Sequence, residues 1–88
     1  MLKLLEKLEN KLSNTYETID INSKVCFLKS DGTVVHLTGI PSFHSIVVEF
    51  ADTLSDAEKN LFEDGDMVST EGAEEIILDQ IIKAIEEG

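Results

Sequence analysis

Leucine recurs at three- and four-residue steps near the start of the chain, at Leu5, Leu8 and Leu12, with Lys and Glu between. This spacing places the apolar side chains on one face of an α-helix, and all three residue types favour helix. The pattern predicts an amphipathic helix over residues 2–13. Because so short a helix is marginal alone in water, we expect its leucine face to pack on the rest of the domain.

From residue 16 the apolar period changes to two, and β-branched and aromatic residues become frequent, as is typical of strands. The pattern predicts four strands, at about 16–21, 24–29, 33–39 and 45–51. The links Asn22-Ser23 and Asp31-Gly32 are typical of two-residue hairpin turns. The strands are therefore expected to form an antiparallel meander.

These two hairpins also predict the strand register. The second hairpin places Leu28 opposite Val35 and Cys26 opposite Leu37, and the first places Ile19 opposite Cys26. One predicted face then carries Ile19, Cys26, Leu28, Val35, Leu37, Ile46, Val48 and Phe50. The other carries Tyr16, Thr18, Val25, Phe27, Val34 and His36. Because the second set is also half apolar, we expect a helix to cover it, with a homodimer as the alternative.

The C-terminal part predicts two more helices. Ser55 and Glu58 match the capping-box spacing, which predicts a short helix over about residues 56–62. Apolar residues at helical spacing predict an amphipathic helix over about 71–86, with Ala73, Ile77 and Ile81 on its buried face. The predicted fold class is α+β, a single domain of 88 residues with a small antiparallel sheet flanked by N- and C-terminal helices.

Charge is distributed unevenly along the chain. There are 18 acidic residues and seven lysines, with no arginine, for a net charge of -11. Residues 1–48 balance five lysines against five acids, so all of the net charge lies in residues 49–88. Negative charge repels phosphates, and arginine is the side chain best shaped to bind them. We therefore expect no direct nucleic-acid binding and no docking on anionic membranes.

Two further features predict a cytoplasmic protein. The single cysteine, Cys26, cannot form an internal disulfide, which suits a reducing compartment. The N-terminal residues alternate charge with leucine instead of forming the apolar core of a signal peptide, and no apolar run is long enough to span a bilayer.

Motifs for catalysis or metal binding are weak. A calcium loop counted from Asn60 has Phe62 where a ligand is required. The predicted register puts Cys26 and His36 on opposite faces, and nothing places a partner beside His44. Acids are so abundant that closeness of two carboxylates indicates no particular chemistry. We therefore expect no enzyme activity, no metal and no cofactor.

The functional prediction is a non-catalytic protein-interaction module. Its candidate surface consists of Glu49, Asp52, Asp56, Glu58, Glu63, Asp64, Asp66, Glu75 and Asp79, which would select a basic protein partner by charge complementarity. In composition and element order the chain is similar to phage-encoded inhibitors of nucleic-acid enzymes and to bacterial proteins that neutralise nucleases. The alternative function is therefore an acidic inhibitor that occupies a nucleic-acid-binding site. In a further alternative the acids serve solubility, and an apolar face is the working surface.

Overall fold

The computed structural model describes all 88 residues. In chain order its elements are α1 (Leu2–Leu12), β1 (Glu17–Ile21), β2 (Lys24–Leu28), β3 (Val34–Ile40), a 3-10 helix (Pro41–Phe43), β4 (Ser45–Ala51), α2 (Leu54–Glu58), β5 (Glu63–Ser69) and α3 (Glu74–Glu87). The strands form one antiparallel sheet in the order β1-β2-β3-β4-β5. The α+β meander with terminal helices is confirmed, with five strands instead of the predicted four.

The strand that the apolar pattern did not predict is β5. It has the sequence EDGDMVS, and Val68 is its only buried residue. A strand at the edge of a sheet has one neighbour and often carries charged residues, so its sequence lacks strong apolar alternation. The acidic segment that looked like a loop is therefore the edge of the sheet.

The hairpin between β1 and β2 forms as predicted. Asn22 and Ser23 both have positive φ, 53° and 65°, as a type I′ turn requires. Ile21 pairs with Lys24, which places Ile19 opposite Cys26. This register is confirmed.

The turn between β2 and β3 is longer than predicted. The Gly32 amide donates to the Lys29 carbonyl at 3.0 Å, and the Lys29 amide donates to the Thr33 carbonyl at 2.9 Å. Gly32 has a φ of 93°, and the Asp31 carboxylate accepts from the Thr33 amide. These are the bonds of a three-residue loop, a type I turn followed by a glycine bulge.

The extra loop residue shifts the register by one position. Leu28 pairs with Val34, and Cys26 pairs with His36, so the predicted pairings of Leu28 with Val35 and Cys26 with Leu37 are wrong. Because strand side chains alternate between faces, a shift of one residue exchanges the faces of one strand relative to its neighbour. The predicted face is therefore divided between the two sides of the sheet.

The larger core lies between the sheet and both long helices. It comprises Leu8 and Leu12 of α1, Phe27, Val35, Leu37, Ile46, Val48 and Val68 of the sheet, and Ile77, Ile81, Ala84 and Ile85 of α3. Val35, Leu37, Ile46 and Val48 share this face as predicted. Phe27 joins them because of the shifted register, and Val68 joins them from the unpredicted strand β5. Burial of these apolar side chains is the main favourable contribution to folding.

The smaller core lies on the opposite face of the sheet. It comprises Ile21, Cys26, Val34, Ala51 and Ala57, with Ile19, Leu28 and Phe62 half-buried around it. Ala57 belongs to α2, which has only five residues. A helix does cover this second face, but it is α2, and it covers only the end where Val34 pairs with Ala51.

The bounds of the two C-terminal helices differ from the prediction. The N-cap of α2 is Thr53 instead of Ser55, and its hydroxyl accepts from the Asp56 amide at 3.1 Å. The helix ends at Glu58 because Asn60 takes a φ of 62°, which turns the chain out of the helix. Helix α3 starts at Glu74 instead of residue 71. None of the three helices has the length and apolar character needed to cross a lipid bilayer.

The pairing between β4 and β5 contains a β-bulge. Val47 pairs with Met67 and Glu49 with Asp64, so two residues of β5, Gly65 and Asp66, lie opposite Val48. A Cβ atom at Gly65 would lie 2.5 Å from Phe50 Cε2 and 2.8 Å from the Val48 carbonyl oxygen. The close approach of Phe50 and of the β4 backbone therefore requires glycine at this position.

We expect Gly65→Ala to lower the free energy of unfolding by about 1–3 kcal/mol, because Phe50 and the β4 backbone must shift to admit the methyl group. Urea unfolding at neutral pH measures this change. Asp64→Ala, at the preceding exposed position of β5, is the control and should change stability by less than about 0.5 kcal/mol. Equal effects of the two substitutions would show that the close approach at Gly65 is unimportant.

Candidate functional site

The nine predicted site residues do not form one surface. Asp52, Asp56 and Glu63 line a common pocket. Glu49 and Asp64 pair across β4 and β5. The others lie elsewhere: Glu58 beside Asn22, Asp66 in a groove with Lys83, and Glu75 and Asp79 exposed on α3. The acidic surface predicted from charge alone is therefore divided among several parts of the molecule.

The three acids brought together surround an apolar surface. The pocket has a volume of about 360 Å³, and its other lining residues are Phe50, Leu61 and Phe62. Leu61 is 58% exposed, while Phe50 and Phe62 are half-buried. We refer to the six lining residues as the acidic pocket. It combines apolar side chains with three carboxylates that no lysine of the chain pairs with.

Local backbone geometry positions the lining residues. The Leu61 amide donates to the Asp56 carbonyl at 2.9 Å, and the Asn60 amide donates to the Ala57 carbonyl at 3.0 Å. With Asn60 left-handed, these are the two bonds of a Schellman motif at the end of α2. The motif turns the chain directly into β5, so Leu61 lies at the pocket. The sequence signal for this arrangement was Asn60 after a capped helix.

Glu63 completes the pocket from the sheet. It is the first residue of β5 and pairs with Phe50 of β4. Asp52 follows β4 directly, and Asp56 lies in the first turn of α2, where a carboxylate is favourable to the helix dipole. One β4-α2-β5 segment therefore supplies every lining residue of the acidic pocket.

A second polar group lies on the sheet face that α1 and α3 leave open. Glu49 Oε1 lies 2.8 Å from His36 Nδ1 and accepts from the Thr38 hydroxyl at 2.6 Å. The His36 ring packs against Phe62, with ring centroids 5.8 Å apart. Burial alone would raise the pKa of Glu49, but the hydrogen bonds from Thr38 and His36 outweigh it and hold the pKa below its usual value.

The contact between His36 and Glu49 was missed because the sequence did not specify how β3 pairs with β4, and the β2–β3 register error hid that Cys26 lies in the same row. Cys26, His36, Glu49 and Asp64 are successive cross-strand partners, so they form one row across four strands. The prediction that Cys26 and His36 lie on opposite faces is therefore wrong. Cys26 is fully buried, and burial raises the pKa of its thiol, which leaves it protonated at neutral pH. No three His, Cys, Asp or Glu side chains are arranged to hold a metal ion.

The largest pocket lies at the other end of the sheet, beside the C-terminal end of α3. Its volume is about 740 Å³, and its lining includes Tyr16, Lys29 and Glu86. Lys29 Nζ donates to the Ile85 carbonyl at 2.8 Å, and the Tyr16 hydroxyl donates to Glu86 at 2.5 Å. The polar groups here attach α3 to the sheet, so they have a structural use.

Comparison of the chain with protein-family models, with curated proteins and with solved structures finds no match.

We expect Glu49→Gln to lower the free energy of unfolding by about 1 kcal/mol at pH 7, since hydrogen bonds to an ionised group are replaced by weaker neutral ones. The folded-state pKa of Glu49 is depressed, so its stabilising effect is complete above the unfolded value of about 4.3 and is lost as pH falls through the lower folded value.

Urea unfolding of both proteins across the acid range tests this dependence. The difference between wild type and Glu49→Gln should shrink as the pH falls below about 4. A difference that stays constant with pH would mean that the charge of Glu49 contributes nothing to stability.

Proposed function

We propose that this protein is a non-catalytic, cytoplasmic interaction module that binds a basic segment of a partner protein at the acidic pocket. The observation that carries the proposal is the placement of three carboxylates, from Asp52, Asp56 and Glu63, around an exposed apolar surface. Carboxylates alone attract any cation, whereas apolar side chains alone favour any hydrophobic group. Their combination favours a long side chain with an apolar stem and a positive end.

Lysine and arginine have that form. The methylene stem of either residue would lie along Leu61 and the two phenylalanine rings, and its charged end would reach the carboxylates at the rim. Within the chain, one lysine already lies near the Phe62 ring. Lys24 Nζ lies 5.9 Å from the centroid of the Phe62 ring and donates to Asn60 Oδ1 at 2.8 Å. This contact supports the ability of the Phe62 region to accept a cation.

The net charge of -11 supports a basic partner through its effect on encounter. An excess of one sign of charge accelerates association with a surface of the opposite sign and makes it sensitive to salt. Lysine is the only permanently cationic side chain type in the protein, and there are seven lysines against 18 acidic residues. A second copy of the chain therefore offers few cations to the pocket.

The alternative, an acidic inhibitor that occupies a nucleic-acid-binding site, draws on the same charge. It is favoured by the candidate acids outside the pocket, among them Glu75 and Asp79 on α3. An inhibitor that imitates a run of phosphates would use those acids as well as the pocket. A module that binds one basic segment would not, so variants of the two regions distinguish the functions.

The arrangement of reactive side chains supports a function without catalysis. His36 and Glu49 bond to each other on an open sheet face, and Cys26 is buried and protonated. A catalytic group needs access to substrate and a preorganised, water-excluding site. The unpaired state of Cys26 supports the cytoplasm as the compartment.

We expect the triple variant Asp52→Asn, Asp56→Asn, Glu63→Gln to capture about tenfold less of its partner than wild type. Three exposed ion pairs of about 0.5 kcal/mol each amount to roughly 1.5 kcal/mol, which is about a factor of ten in affinity. The measurement is capture by tagged protein from a bacterial lysate at low and high salt, quantified by mass spectrometry. The captured protein should be basic and should be lost at high salt.

The matched control is Glu71→Gln, Glu75→Gln, Asp79→Asn, which removes the same charge at and before α3. It should capture as much partner as wild type. Equal losses from both triple variants, with a nucleic-acid enzyme as the captured protein, would favour the inhibitor. Salt-resistant capture of the protein itself, unchanged in both variants, would contradict the proposal and indicate a homodimer formed through an apolar face.

A further inference from the structure

The outer edge of β5 is an unpaired edge of the sheet. β4 is the only strand that pairs with β5, and no hydrogen bond from a loop or side chain of the protein reaches the backbone of Glu63–Asp66 from the outer side. In an edge strand, alternate residues direct their N–H and C=O groups outward. β5 therefore presents backbone donors and acceptors that a further strand can pair with.

The side chains of β5 determine which strand is admissible. Glu63, Asp64 and Asp66 are exposed, so a second β5 would bring like charges together, which destabilises strand pairing. The other edge of the sheet, β1, contains Glu17 and Asp20, and it offers no lysine either. Both edges of this chain are acidic. Pairing between copies is thus disfavoured, while a basic strand meets complementary charge.

We propose that β5 accepts an extended, lysine- or arginine-bearing segment of the partner by β-strand addition. This inference rests on the proposed function and specifies its binding mode. Glu63 links the two, because it lines the acidic pocket and is also the first residue of β5. A segment with one basic side chain in the pocket continues along the β5 edge and pairs with it through the backbone.

The ends of β5 supply apolar contacts for the same segment. Leu61, just before the strand, is 58% exposed, and Met67 within it is 55% exposed. The bulge at Gly65 and Asp66 divides the edge into two short runs. Few backbone hydrogen bonds form on each side of a bulge, so charge pairing with Asp64 and Asp66 must contribute a large share of the affinity.

The test uses a capped nine-residue probe peptide of alternating lysine and valine, the same peptide with every backbone amide N-methylated, and an alternating glutamate and valine peptide. Titration calorimetry with the full-length protein gives the affinities, and amide hydrogen exchange by NMR gives the site. We expect the lysine peptide to bind at least about tenfold more tightly than its N-methylated form, since methylation removes the backbone donors and keeps the charge. The β5 amides should gain exchange protection.

A charge-reversed protein, Asp64→Lys with Asp66→Lys, tests the contribution of charge at two exposed positions of β5. It should lose the lysine peptide and gain the glutamate peptide. Equal binding of the methylated and unmethylated lysine peptides, without protection of β5, would overturn strand addition and leave the basic-segment function standing. Failure of every peptide to bind would also overturn strand addition, whereas the proposed function is tested separately, by partner capture with the pocket variant and its matched control.

Discussion

The glycine turn between β2 and β3 is the constraint on which the arrangement of both cores depends. Because Gly32 adopts a positive φ and closes a three-residue loop, Phe27 and Val35 face the long helices, and Cys26 and Val34 face away. With a two-residue turn, the side chains of one strand would have pointed to the opposite faces of the sheet relative to those of the other strand. The apolar side chains of either strand would then have been divided differently between the helices and α2.

This arrangement of the strands determines which face of the sheet each helix covers. α1 and α3 both pack on one face, so the sheet and these two helices form a two-layer domain with a twelve-residue core. The opposite face receives only α2 and the residues that follow it. That uneven coverage leaves room beside α2 for the acidic pocket and leaves His36 and Glu49 on a shallow surface.

Sequence patterns predicted the elements of this fold better than the contacts between them. Heptad-like leucines and alternating β-branched residues report which face of an element is apolar, and they located α1, β4 and the first hairpin well. The β2–β3 register depends on one residue of loop length, which the Asp31-Gly32 pair does not specify by itself. β5 escaped prediction because an edge strand needs few apolar residues, and its acids resembled a loop.

The candidate site was predictable in part. Charge counting identified the acidic half of the chain, and the acids around α2 do come together at the pocket. A count of charges does not show which way each side chain points in the folded protein. It therefore grouped Glu75 and Asp79 with acids that lie elsewhere on the surface. The apolar part of the pocket depends on the Schellman motif at Asn60, for which Asn60 after a capped helix was a sequence signal that the helix prediction, extended to residue 62, did not use.

The separation of the two cores has a consequence for motion. Ala57 is the only residue of α2 in the smaller core, whose other four members lie on β1 to β4, so few apolar contacts hold α2 and its local opening is expected to cost less than global unfolding. Binding at the pocket would then remove those open states from the ensemble. The affinity for the proposed partner would therefore depend in part on how often α2 detaches, which substitutions in the small core would change without altering the binding surface.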